Sequence, residues 1–121
     1  MDNDMRELNA VKELKEALDK KFGQDIVVMD LRNVTAIADF FVIATGGSAP
    51  QLQALADTTE EVMKKHEIPI KHIEGVRSGE WVLLDFGGII VHLFDKESRQ
   101  FYKLERVWGD ARPVHGTGEK E

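Results

Sequence analysis

Apolar and polar positions follow two different periods along this chain. Leu8, Val11, Leu14, Leu18 and Phe22 recur at helical spacing with charges between them, which predicts an amphipathic helix ending near Gly23. "DIVVMDLRN" and "AIADFFVIATG" are then rich in β-branched and aromatic residues and bounded by turn formers, which predicts two strands, paired through a turn around Arg32 to Thr35. From Ser48 to His66 the apolar positions Leu52, Leu55, Val62 and Met63 return to a helical period, and Pro69 marks the stop. "IKHIEG" is a short strand candidate. "EWVLLDFGGIIVHLF" places two apolar runs on either side of Gly87-Gly88, the pattern of a two-residue hairpin. "SRQFYKLERVW" is expected to close the fold as a short helix, and "GDARPVHGTGEKE" to form a loose polar end. Helices interleaved with strands in this order predict an α/β fold, with a mixed sheet because the hairpin forces an antiparallel pair.

The hairpin fixes which side chains share a face. A turn at Gly87-Gly88 pairs Phe86 with Ile89, Leu84 with Val91 and Val82 with Leu93, an apolar set that must be core. The opposite face carries Asp85 across from Ile90, Leu83 across from His92 and Trp81 across from Phe94. Large rings and aliphatics beside a carboxylate and an imidazole are the composition of a protein interface. Two readings stay open: a docking face for a partner, or a face covered by a helix with Asp85 and His92 at its edge.

With 121 residues, 42% of them hydrophobic and 31% charged, the chain suits one domain with one core, taken as residues 1–111 followed by a flexible tail over 112–121. The net charge of −6 opposes broad contact with nucleic-acid phosphates, so no sequence-specific nucleic-acid partner is expected; it favours approach to a basic protein surface. No cysteine is present, which removes disulfides and thiolate chemistry. The charged N-terminus lacks the apolar stretch of a signal peptide, and the apolar runs fall short of a membrane span, so a cytoplasmic protein without membrane contact is expected.

"FFVIATGGSAPQ" is the stretch closest to a catalytic signature. Ser48 is placed as a helix N-cap, with Pro50 in the first turn and Gln51 completing an S-x-x-Q capping box, and a helix start can also hold an anion. Strand, Gly46-Gly47-Ser48 and helix resemble the opening motif of the nucleotidyltransferase superfamily. That superfamily follows it with a paired D-x-D on the next strand to hold magnesium; here Glu74 and Asp85 stand singly on different segments, a poor clamp for a hard cation. There is no G-x-x-x-x-G-K-[ST] phosphate loop. His66, His72, His92 and His115 are scattered without metal-ligand spacing, so neither metal nor cofactor is expected. A capped turn is the preferred reading, with nucleotide binding or nucleotidyl transfer at Gly46-Gly47-Ser48 as the alternative.

Taken in order, "GQDIVVMDLRNVTAIADFFVIATGGSAPQLQALAD", "EGVRSGEWVLLDFGGIIVHLF" and "SRQFYKLERVWGDA" resemble the ribosomal silencing factor family, also called iojap-like, over nearly the whole chain to Ala111. The resemblance implies a nucleotidyltransferase-like α/β fold without the catalytic carboxylate pair, and no enzymatic activity. It further implies a translation repressor that binds the fourteenth protein of the large ribosomal subunit at the subunit-joining face, blocks the small subunit, and forms homodimers when free. Onto matching positions it carries Trp81, Asp85 and Tyr102 as contact residues. Leu83, His92 and Phe94 join them through the hairpin pairing, and Glu74 through its "EG" step.

Overall fold

The computed structural model describes residues 3–75, 81–97 and 112–113. The order is α1 (Asn3–Lys20), β1 (Gln24–Asp30), β2 (Phe40–Thr45), α2 (Ala49–Lys65), β3 (His72–Glu74), β4 (Trp81–Asp85), β5 (Ile89–Phe94) and β6 (Arg112–Pro113). The expected closing helix and Tyr102 lie outside the described residues.

The strands form one six-stranded mixed sheet in the order β3-β4-β5-β2-β1-β6. Its only parallel ladder among the described residues runs between β2 and β5, with Phe40 opposite Ile89 and Thr45 opposite Phe94. β1 and β2 pair antiparallel across the loop that follows Asp30, as the turn formers predict. Arg112 and Pro113, at the start of the expected tail, pair antiparallel with Asp30 and Met29 at the far edge of the sheet.

Both described helices pack on one face of this sheet. Val11, Leu14 and Leu18 from α1 and Leu52, Leu55 and Met63 from α2 form a single buried cluster with Val28, Phe40, Val42, Val82, Leu84, Ile89, Val91 and Leu93. The three hairpin pairs assigned to the core from the sequence are all here. At about 25 cal/mol per Å² of apolar surface removed from water, this layer is the main favourable contribution to folding. A smaller cluster of Met29, Leu31, Ala38, Phe41, Ile43 and Phe94 occupies the opposite face.

Phe22 departs from the expected stripe: it is 79% exposed. The helix stops at Lys20 because the chain turns into a Schellman end. Gly23 N–H donates to Leu18 O at 2.8 Å and Phe22 N–H to Asp19 O at 3.0 Å, with Phe22 itself in the left-handed region at φ 66°. That conformation rotates its ring off the helix face. α2 ends the same way, with Ile68 N–H donating to Met63 O and Glu67 N–H to Lys64 O, both at 2.9 Å, and Glu67 left-handed at φ 61°.

Gln51 connects the two helix ends. Ser48 Oγ accepts from Gln51 N–H at 3.2 Å, the expected cap. The returning half of the box reaches one residue further back than its usual partner: Gly47 N–H donates to Gln51 Oε1 at 2.9 Å. The amide nitrogen of the same side chain donates to Lys21 O and Phe22 O, each at 2.9 Å, satisfying carbonyls at the end of α1. Gly46 lies so close beneath Leu52 that a Cβ there would sit 2.9 Å from Leu52 Cδ2, which is why a side chain is excluded at this step. At the other end of α2, Lys65 Nζ donates to Glu13 Oε2 at 2.9 Å and His66 Nε2 lies 2.8 Å from Glu13 Oε1. Hydrogen bonds from Lys65 and then His66 hold the Glu13 carboxyl below its ordinary range. The helices are thus pinned antiparallel at two places.

Gln51→Ala is expected to lower the unfolding free energy by about 1 kcal/mol, since it removes the cap and the hydrogen bonds that tie the two helix ends and leaves their exposed partners to water. Gln53→Ala is the control: among the described residues that exposed side chain bonds only Asp57 on its own helix, and its loss should change stability by less than about 0.5 kcal/mol. Urea unfolding of the two variants checks both.

Candidate functional site

The sheet face turned away from α1 and α2 is built of three cross-strand rows. The first runs from Trp81 through Phe94 to Thr45. The second runs from Glu74 through Leu83, His92 and Ile43 to Val27, and the third from His72 through Asp85, Ile90 and Phe41 to Met29. Strand alternation therefore puts Glu74, Trp81, Leu83, Asp85, His92 and Phe94 on one face, as expected for the hairpin members and extended here to β3.

Burial falls across this face. At the centre of the sheet Ile43 and Phe94 are fully buried and Met29 and Phe41 nearly so. Toward β3 the face opens: Trp81, Leu83, Asp85 and Ile90 are half-buried, and His72 and Glu74 are exposed. Phe94, at 1% exposure, is therefore a backing residue behind Trp81 and not a surface of its own. The accessible part is a band along β3 and β4 with an apolar middle and a charged margin.

Each polar group on the band has a definite geometry. Asp85 Oδ1 accepts from Gly87 N–H at 2.8 Å, which holds the hairpin turn. His72 Nε2 lies 3.1 Å from Glu74 Oε2, an exposed pair at the rim. His92 is 8% exposed, stacked nearly parallel on Phe94 at 5.9 Å and tilted against Phe41 at 5.2 Å between ring centroids. Its Nδ1 is buried without a hydrogen-bond partner.

Gly75 is a positioning residue that the sequence reading did not single out. Its φ is +82°, and a Cβ there would collide with the Trp81 carbonyl and come within 3.1 Å of the Trp81 ring at Cε3. The glycine of the "EG" step is what allows the end of β3 to pass against Trp81. A glycine directly after a short strand was the available signal, but nothing local says which strand it must clear.

The other candidate, Gly46-Gly47-Ser48, is occupied by its own chain. The Gly47 and Gln51 amides that would face an anion at the start of α2 already donate to Gln51 Oε1 and Ser48 Oγ. Among the described residues no group of three or more His, Asp or Glu side chains comes together in a way that could hold a metal ion, and no helix is long and apolar enough to cross a membrane.

Burial pushes the His92 imidazole down from 6.5 to about 4. Between those values the unfolded chain binds a proton that the folded one does not, so folding stability declines as pH drops from 6.5 to about 4 and is fully present above 6.5. The expected loss across that window is about 3 kcal/mol. His92→Leu should flatten the profile there, measured by urea midpoints at pH 7, 5.5 and 4.5.

Comparison with known proteins places the chain. Residues 3–121 match the family model described as "Ribosomal silencing factor during starvation". The ribosomal silencing factor RsfS of Halalkalibacterium halodurans is 40% identical over 102 residues, 84% of this chain and 87% of that protein. A mouse protein named "Mitochondrial assembly of ribosomal large subunit protein 1" is 32% identical over 89 residues, 71% of this chain and 39% of its own length. A crystal structure of a protein from Chromobacterium violaceum superposes with a TM-score of 0.78 at 34% identity, covering 91% of this chain and 92% of that one. The chain belongs to the ribosomal silencing factor family.

Proposed function

We propose that this protein represses translation in the cytoplasm by binding the large ribosomal subunit at its subunit-joining face, through the fourteenth ribosomal protein, so that the small subunit cannot dock. The observation that supports this reading is the half-open band of Trp81, Leu83, Asp85 and Ile90 with its Glu74 margin. Rings and aliphatics are partly desolvated there already, and the half-buried Asp85 carboxylate lies among them. Membership of a family described as silencing factors, and the name of the mouse relative, support the ribosome as the target.

No bond is made or broken in this mechanism. Bound protein removes large subunits from the pool able to associate, and the degree of repression follows occupancy. The net charge of −6 favours a basic ribosomal protein and opposes the surrounding RNA phosphates, which narrows the places where the band can seat. His92 and Phe94 act from beneath, holding Trp81 and Leu83 in place; Tyr102 is proposed as a further contact. In the free protein the same band closes a homodimer, so self-association and ribosome binding compete.

Sedimentation of purified subunits tests the reading. The wild-type chain should co-migrate with large subunits and reduce the joined fraction; failure in both respects ends it. Trp81→Ala should weaken large-subunit binding by about 30-fold, equivalent to about 2 kcal/mol, with an unchanged far-UV spectrum. Leu83→Lys, at a half-exposed position, should do the same without touching the buried cluster.

A further inference from the structure

The two outer edges of the sheet differ. On the β1–β6 side stands Pro113, which has no N–H to offer, and the β1 ladder is interrupted between Gln24 and Val27, with Asp25 in the left-handed region at φ 48°. Both features discourage pairing with a further strand. On the opposite side β3 follows β4 in unbroken register, and it contains no proline. All three of its residues are exposed, and among the described residues no strand pairs along its outer side. Such an edge offers backbone donors and acceptors that another extended backbone satisfies in series.

The sequence of this edge, His72-Ile73-Glu74, is complementary to itself. Two copies of β3 running antiparallel about a two-fold axis through Ile73 would set His72 opposite the second copy's Glu74, and Glu74 opposite its His72, on the band face. Ile73, 37% exposed, would meet its own counterpart on the helix side, where its cross-strand neighbour Leu84 is core. Within one chain His72 Nε2 already lies 3.1 Å from Glu74 Oε2. Imidazole and carboxylate would therefore alternate around the axis. An edge that rejects its own copy carries like charges at such positions.

The other charged groups nearby do not oppose this pairing. Asp85 stands across from His72 on the inner side, in β4. Lys71 lies over Gly87 of its own chain and would come opposite Gly75 of the second copy, which has no side chain to meet it.

We propose that β3 pairs antiparallel with β3 of a second copy, centred on Ile73, so that the two six-stranded sheets become one. This seam rests on the self-association inferred above and names where it occurs. It takes up the Glu74 margin of each band and leaves the two β4 strands three strand spacings apart, about 14 Å, on the same face. A protein seated on one band then runs into the second copy. Three residues from each chain form a seam far smaller than a permanent dimer buries, so the association is weak and a competing partner displaces it.

Sedimentation equilibrium of the full chain, without ribosomes, tests the seam. In its own dimer Glu74→Lys sets an ammonium beside an imidazole twice, and His72→Glu sets two carboxylates together twice. Each variant alone should associate about tenfold more weakly than the wild type. An equimolar mixture of the two should recover wild-type association, because only the mixed pair restores opposite groups on both sides of the axis; that recovery also shows that both variants are folded. The chain has no cysteine, so Ile73→Cys should form an intermolecular disulfide on mild oxidation, whereas Ile37→Cys, at a position 65% exposed in the loop before β2, should not. The proposal is overturned if either single variant associates as the wild type does, if the mixture associates no better than its components, or if Ile73→Cys cross-links no faster than Ile37→Cys. A wild type that stays monomeric up to about 1 mM overturns it together with the self-association on which it rests. Failure of the wild type to co-sediment with large subunits would count against the silencing mechanism alone.

Discussion

The parallel ladder between β2 and β5 is the joint on which the rest depends. It brings residues 40–45 beside residues 89–94 with Phe40 opposite Ile89, and thereby joins the antiparallel β1–β2 pair to the β3–β4–β5 meander in one sheet. A slip of one residue would send Val91 and Leu93 to the face now holding His92 and Phe94, and would bury the imidazole beneath α2. Burial holds the register: Val42 and Ala44 on one side and Ile43 on the other are all fully enclosed. Once that ladder is set, the composition of both faces follows from alternation.

The two faces then have different tasks. One receives α1 and α2, whose ends are tied by Gln51 on one side and Glu13 on the other, so the helical layer is fixed relative to the sheet. The other keeps its apolar residues buried toward the centre and exposes them progressively toward β4. A face graded in this way can support a rigid anchor: Trp81 is backed by Phe94 and bounded by Gly75, so little ordering remains to be done on binding. His92 fits the same account. A buried imidazole with an unpartnered nitrogen is costly for stability, and it sits between the Phe41 and Phe94 rings.

The glycine-serine turn separates a shape from a function. Strand, two glycines, serine and helix would suit an anion, but Gln51 uses its own side chain to fill the place where the ligand would bind and to satisfy the end of α1 as well. Gly46 is explained by Leu52 pressing on it. The motif is thus accounted for by packing and capping inside the chain.

Much of this was legible in the residue order because it rests on short-range rules. The capped start of α2 at Ser48, the hairpin at Gly87-Gly88 and the division of Trp81, Leu83, Asp85, His92 and Phe94 from Val82, Leu84, Val91 and Leu93 all follow from helical period, turn chemistry and strand alternation. What remained hidden depends on contacts between distant segments. Nothing near Phe22 says that the helix ends two residues early in a left-handed turn held from α2. Nor does anything near Gln51 or Gly75 name Lys21 or Trp81 as the group it must meet. The sequence by itself determined which side chains share a strand face; only the tertiary structure decided which of them are covered, because coverage is set by what packs across the sheet from elsewhere in the chain.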